Sequence, residues 1–154
     1  MSKTQDDMFK EMIPELQSLY EKFYMKMQEA GIEFELNEVK RTEAVQRAYF
    51  AQGRNPLALV NSLRKLAGLY PLAKSENKYK VTWTLRSRHF TGRAFDIRLL
   101  KYNKPTWDTK WDGNENSIPD YLEAAKIGLA VGLEAGGLWK KPDYPHFQLY
   151  DKPE

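Results

Sequence analysis

An α+β fold, with helices packed on a small antiparallel sheet in a single domain, is what this sequence predicts. Three observations carry the reading. Apolar residues recur at three- and four-residue steps over residues 8–30, the period of a helix buried along one face. Short runs at 32–36, 79–85, 94–100 and 146–150 are rich in β-branched and aromatic residues or alternate apolar with polar, the marks of strands. The 154 residues contain no internal repeat and no low-complexity linker, and that length buries a core as one domain without staples.

Taken in order, the first element is a helix over 8–30, with Leu16, Leu19, Tyr20, Phe23, Tyr24 and Met27 on its apolar stripe. Pro14 is tolerated near its first turn and Gly31 stops it. "IEFEL" alternates apolar and acidic residues and reads as a half-buried strand. "RTEAVQRAYFAQG" reads as a helix capped by Thr42 and closed by Gly53. Residues 54–77 stay open between another helix and an insertion packed over the core. "YKVTWTL" (79–85) and "AFDIRLL" (94–100) are strands, with Asp96 between apolar neighbours in the second. "KPTWDTKWDGNENS" is a loop. "IPDYLEAAKIGLAVG" is a helix begun near Pro119 and ended by Gly132, and "HFQLY" is a last short strand.

The composition narrows the chemistry. A hydrophobic fraction of 42% with 13% aromatics places the chain among globular rather than disordered proteins. There is no cysteine, which removes disulfides and thiolate metal sites. A metal would have to be held by Asp, Glu and the two histidines. The N-terminus lacks the apolar segment of a secretory signal, and no run approaches the roughly 18 apolar residues of a membrane span, so no membrane insertion is expected. The net charge of +3 is unevenly spread: residues 1–40 hold five Lys/Arg against nine Asp/Glu, and the rest nineteen against twelve. A basic body suits a polyanion, either nucleic acid or an anionic cell wall; ordinary solvated surface charge explains it equally well.

The two histidines, His89 and His146, and the strand carboxylate Asp96 form the one constellation with a chemical meaning. Catalytic zinc takes three protein ligands from His, Asp or Glu and keeps a position open for water, and these three residues meet that count. A carboxylate between Phe95 and Ile97 needs a partner, because burying a bare charge is costly. The plainer reading is of partly buried histidines satisfied by hydrogen bonds. Asp143, three residues before His146 in "DYPHF", is placed to take a proton from an attacking water, or is simply a turn-forming Asp. Spacing alone leaves both alternatives open.

At this point the pattern matches a known family. "SRHFTGRAFD" resembles the Ser-x-His-x-x-Gly-x-Ala-x-Asp motif of zinc peptidases that cut bacterial cell-wall peptides, the VanY-like D-Ala-D-Ala carboxypeptidases and the L-alanyl-D-glutamate endopeptidases of phage endolysins. "RTEAVQRAYFAQGR" looks like the family's Arg-Thr/Ser-x-x-x-Gln-x-x-x-Tyr-x-x-Gly-Arg segment, with Phe50 adjoining the usual aromatic. "GLEAGGLWKKPDYPHFQL" is similar to its closing segment. The resemblance implies one Zn2+ held by His89, Asp96 and His146, with Asp143 as general base. It also implies that Arg41 stabilises the oxyanion or anchors substrate, that Ser87 lines the site, and that Gln46 is structural or faces substrate. Leu138 stands where relatives often carry an acid, and residues 55–73 are less typical.

The activity implied is hydrolysis of the L-Ala–D-Glu bond in peptidoglycan stem peptides, with D-Ala-D-Ala carboxypeptidase as the alternative and a non-catalytic wall-binding protein further behind. By the same resemblance the chain is expected to be held in the host bacterial cytoplasm, freed by a holin and active on the wall. It is expected to be a monomer, and its charge distribution suggests that a basic face draws it to murein. A metal-dependent nuclease using Arg86, Arg88, Arg93 and Arg98 is the rival enzyme, but phosphoryl-transfer sites favour carboxylate-rich magnesium sites over paired histidines, so no nucleic-acid partner is expected. "DTKWDGNEN" fails as a calcium loop because Pro119 stands where a bidentate Glu is required. Of the tryptophans, Trp107, Trp111 and Trp139 are candidates to line a groove, and Trp83 for the core.

Overall fold

The structure, a computed structural model, describes residues 3–40, 43–81 and 92–150. The chain forms two compact units, Met1–Lys40 with Thr91–Glu154, and Arg41–Phe90.

The first unit opens with a capping box. The Thr4 hydroxyl accepts from the Asp7 N–H and the Asp7 carboxylate accepts from the Thr4 N–H, which satisfies two of the free donors at a helix start. Helix α1 (Gln5–Glu11) follows and stops early. Where one helix was expected over 8–30 there are two, because the residue before a proline is pushed out of the helical region. Ile13 sits at φ −66°, ψ 155°, and Pro14 becomes the first residue of α2 (Pro14–Glu29). Leu16, Tyr20, Phe23 and Met27 of α2 are buried, so the stripe read from the sequence is the one that packs.

Strand β1 (Phe34–Glu38) begins two residues later than "IEFEL" suggested. The Gln5 side chain reaches across from α1 and grips it: the Gln5 amide donates to the Leu36 carbonyl at 2.9 Å and accepts from the Leu36 N–H at 2.7 Å. Strand β2 (Ala94–Lys101) is the centre of the sheet. It turns through Tyr102 and Asn103, both at positive φ, into β3 (Lys104–Thr106), a two-residue connection of the type whose twist suits a hairpin. The start of the expected loop is therefore a strand. Helix α5 (Asp120–Val131) lies between Pro119 and a left-handed Gly132 at φ 107°, as its sequence signals predict. A two-residue strand β4 (Glu134–Ala135), with no signal in the sequence, pairs with β5 (His146–Gln148), which is shorter than "HFQLY". Strand order is β1-β2-β5-β4, with β3 paired to β2, and every pairing is antiparallel.

Alternation along β2 assigns its two faces. Phe95, Ile97 and Leu99 are buried against the helices together with Leu36 and Phe147. Phe23 of α2 lies 5.7 Å from the Phe95 ring and 4.8 Å from Phe147, and the last two stack at 5.3 Å. Burying each such side chain stabilises the fold by about 1.5–3 kcal/mol. Gly128 of α5 makes room for this cluster, since a Cβ there would stand 2.5 Å from the Phe147 ring. The opposite face carries Asp96, Arg98, His146 and Gln148. Arg98 is engaged by Glu35 at 2.6 Å and by Asn37 at 3.2 Å, so this member of the basic patch is neutralised locally.

Gly92, the glycine of the histidine motif, earns its place through the backbone. It sits at φ 71°, and a Cβ would run into the Glu11 carbonyl, a conformation and an approach that only glycine allows. Its carbonyl accepts from the Ile13 N–H at 3.1 Å, tying the break between α1 and α2 to the start of β2. The acidic loop after β3 is a set of polar turns: the Asp108 carboxylate accepts from the Lys110 N–H, and Asp112 accepts from Asn116 and Ser117. Trp111 is packed between Tyr102 and the Lys101 ammonium, and Trp107 is half exposed.

The second unit contains α3 (Glu43–Ala51), α4 (Leu57–Leu66) and a 3-10 turn at Lys74–Lys78, which resolves the open segment 54–77 in favour of a helix. Asparagines bracket it: Asn61 exchanges two hydrogen bonds with the Leu72 backbone, and Asn77 accepts from Gly53 while donating to Asn55. Residues 79–81 are not in a strand. The rest of the strand expected over 79–85, with Trp83, lies outside the described residues, as do Thr42, Arg86 and Arg88.

Candidate metal centre

The site is set by register. Antiparallel pairing of β2 with β5 places Asp96 directly across from His146, and alternation turns both away from the phenylalanines beside them. The His146 Nδ1 lies 3.0 Å from Asp96 Oδ1, with the two side chains only 10% and 18% exposed. On the other side of the ring, Nε2 meets the Gln148 Oε1 at 2.7 Å. Gln148 in turn donates its Nε2–H to the Glu134 carboxylate at 2.8 Å. The Trp139 ring leans over the imidazole with centroids 5.3 Å apart.

The loop before β5 is built from the backbone. Asp143 N–H donates to the Gly136 carbonyl at 2.8 Å, His146 N–H donates to the Asp143 carbonyl at 3.1 Å, and Ile97 N–H donates to the Pro145 carbonyl at 2.9 Å. Gly136 has to be small for this, since a Cβ would stand 2.5 Å from the Asp143 carbonyl. Asp143 is thereby held one tight turn ahead of His146, at an exposed position. Its charge reaches the ring. Burial by itself pushes the His146 pKa down, but the hydrogen bond and charge of Asp96, the Gln148 hydrogen bond and the Asp143 charge together outweigh it, and the net shift is upward.

Donor geometry and chemistry fit a zinc ion. Two ligands bonded at about 2.0–2.1 Å to a tetrahedral zinc stand roughly 3.3 Å apart, close to the 3.0 Å between Asp96 and His146. A zinc-bound imidazole characteristically gives its other N–H to an oxygen acceptor, and Gln148 supplies one. Among the described residues no cluster of three or more His, Asp or Glu side chains completes a metal site. The remaining expected ligand, His89, lies outside the described residues, as do Arg41 and Ser87. Gln46 is fully buried on α3 in the second unit.

Gln148, Glu134 and Gly136 were passed over in the sequence, whereas Trp139, expected to line a groove, lies against the His146 ring. For Gln148 a signal exists, since His146 and Gln148 stand two apart in a strand and must share a face. Glu134 joins them only through the β4–β5 register, which no local pattern announces.

Comparison with known proteins bears on the family and the fold. Residues 80–149 match the family model described as D-alanyl-D-alanine carboxypeptidase. Over 92 residues the chain is 35% identical to the peptidoglycan L-alanyl-D-glutamate endopeptidase CwlK of Bacillus subtilis (strain 168); the match takes in 57% of this chain and 55% of the relative, so it spans about half the relative's length. The crystal structure of the Serratia marcescens L-Ala D-Glu endopeptidase ChiX superposes with a TM-score of 0.60 at 20% identity, covering 97% of this chain and 89% of that one, which establishes the fold. The resemblance to the VanY-like peptidases is borne out, in sequence over 80–149 and in fold over nearly the whole chain.

Proposed function

We propose that this chain is a zinc peptidase that hydrolyses the L-Ala–D-Glu bond of peptidoglycan stem peptides, its 154 residues working as one peptidase domain. The observation that carries the reading is the Asp96–His146 pair, facing each other across β2 and β5 with Asp143 fixed one turn away. The bond assignment is supported by the two relatives, both named as endopeptidases for that linkage.

Asp96 and His146, with His89, would hold the metal. When bound, zinc supplies a Lewis acid for the scissile carbonyl and lowers the pKa of water towards about 7. The chain's own residues supply the rest. Asp143 accepts the proton of the attacking water and returns it to the leaving amine, the two halves of general acid–base catalysis. Arg41 stabilises the charge that develops on the carbonyl oxygen or anchors the substrate, and Ser87 lines the site. The complete burial of Gln46 supports a structural role for it. As an endolysin the protein would act as a monomer, wait in the host cytoplasm, be released by a holin and meet its substrate at the wall.

The description of the matched family favours D-Ala-D-Ala carboxypeptidase as the second reading. Mass spectrometry of purified peptidoglycan, incubated with zinc-loaded protein with and without chelator, separates the two. Chelator-sensitive release of stem peptides beginning at D-Glu is expected. Loss of terminal D-Ala alone would make the protein a carboxypeptidase, and no cleavage by folded, loaded protein would remove the enzymatic reading.

A further inference from the structure

We propose that Gln148 and Glu134 form a positioning relay that fixes which nitrogen of His146 is free to bind the metal, an assignment that rests on the metal reading above. The relay is drawn by two contacts in sequence. His146 Nε2 contacts Gln148 Oε1 at 2.7 Å, and Gln148 Nε2 contacts Glu134 Oε2 at 2.8 Å. A carboxylate oxygen can only accept, so Glu134 obliges the amide to turn its NH2 outward and its carbonyl towards the imidazole. A carbonyl also only accepts, so Nε2 must carry a hydrogen. The Asp96 carboxylate likewise only accepts and draws a hydrogen onto Nδ1 when no metal is bound. With a metal in that hydrogen's place, the relay would keep the remaining one on Nε2 and leave the Nδ1 lone pair for the metal.

Pairing in the sheet makes the arrangement rigid. Gln148 stands opposite Glu134 in the β4–β5 ladder and opposite Ala94 in the β2–β5 ladder, so all the relay residues lie on strand backbone. The neighbour across β2 has only a methyl group. The two-residue β4 thus has a use beyond extending the sheet: it brings a carboxylate to the far side of the metal ligand, where hydrogen-bond partners typically alter metal affinity 10–100-fold. A purely architectural role would make Gln148 a filler of the strand edge, replaceable by an apolar residue of equal length.

The test uses the full chain and reads metal affinity by chelator competition, together with the visible spectrum of the cobalt-substituted protein. Gln148→Met, which keeps length and removes the acceptor, is expected to weaken zinc binding 10–100-fold and to change the cobalt spectrum. The exchange Glu134→Gln with Gln148→Glu restores an oxygen acceptor for Nε2 and a donor behind it, and is expected to return affinity towards the unmodified level. Glu134→Gln alone releases the amide's orientation and gives a smaller loss in the same direction, which keeps the test open if Gln148→Met fails to fold. Unchanged affinity and spectrum in Gln148→Met, or an exchange variant no better than Gln148→Met, would overturn the relay. Unmodified protein that binds no zinc would overturn the metal reading itself, so the two failures are told apart.

Discussion

At the scale of single residues, the proposed chemistry divides cleanly between holding the metal and moving a proton. Asp96→Asn and His146→Ala are expected to leave the protein without zinc, measured as metal per chain after dialysis, and without activity. Asp143→Ala is expected to retain zinc and lose about 10²–10⁴-fold in turnover, the usual contribution of general acid–base catalysis. An active Asp143→Ala protein would remove that residue from the mechanism. Asp96 was legible in the sequence because a lone carboxylate between Phe95 and Ile97 has to face away from them and needs company. The partner of that carboxylate was legible only as a list of two histidines, and strand register made the choice visible for His146. Gln148 was hidden because an amide has no charge to betray it, and its meaning depends on Glu134 fourteen residues earlier.

At the scale of elements, the contact of α5 with β5 reverses an ordinary rule. Replacing a helix-interior glycine by alanine usually gains up to about 1 kcal/mol. At Gly128 the new methyl meets the edge of Phe147, a ring that is fully buried and stacked on Phe95, so it has nowhere to retreat. Gly128→Ala is therefore expected to destabilise by about 1–3 kcal/mol, read from urea unfolding midpoints, and a stabilised variant would contradict the packing described. Helix α5 was read correctly from the sequence because Pro119 and Gly132 bound it on both sides. The first helix was misread because its apolar period runs on unbroken through Met12 and Ile13 while the backbone does not. There the restriction that Pro14 places on Ile13 outweighs the pattern. Strand β4 has too few residues to show any period at all.

At the scale of the whole molecule, the order of helix and strand signals already pointed to an α+β protein, and the lack of cysteine meant that any metal would have to be held by His, Asp or Glu. The charge imbalance between residues 1–40 and the rest gives the last prediction. If the basic body draws the protein to an anionic wall, co-sedimentation with purified murein falls as salt is raised towards about 1 M, where charges more than about 3 Å apart are screened. Retention that ignores salt would assign wall attachment to specific contacts instead. The division into two units was not legible, because both share the same mixture of helix signals and polar turns. Only long-range pairing, β1 with β2 across more than fifty intervening residues, reveals which segments belong together.

Among the described strands β1 is an outer strand of the sheet, and outer strands carry a hazard, since their backbone groups invite pairing with any other extended chain. At the middle of β1 both groups of Leu36 are already taken by the Gln5 amide, which imitates one residue of a neighbouring strand. A second copy would have to displace that side chain, and with it the hold of α1 on the sheet, before it could extend the ladder. One glutamine thus does the work that charged or proline-bearing edges do in other sheet proteins, closing the molecule to edge-to-edge assembly at high local concentration.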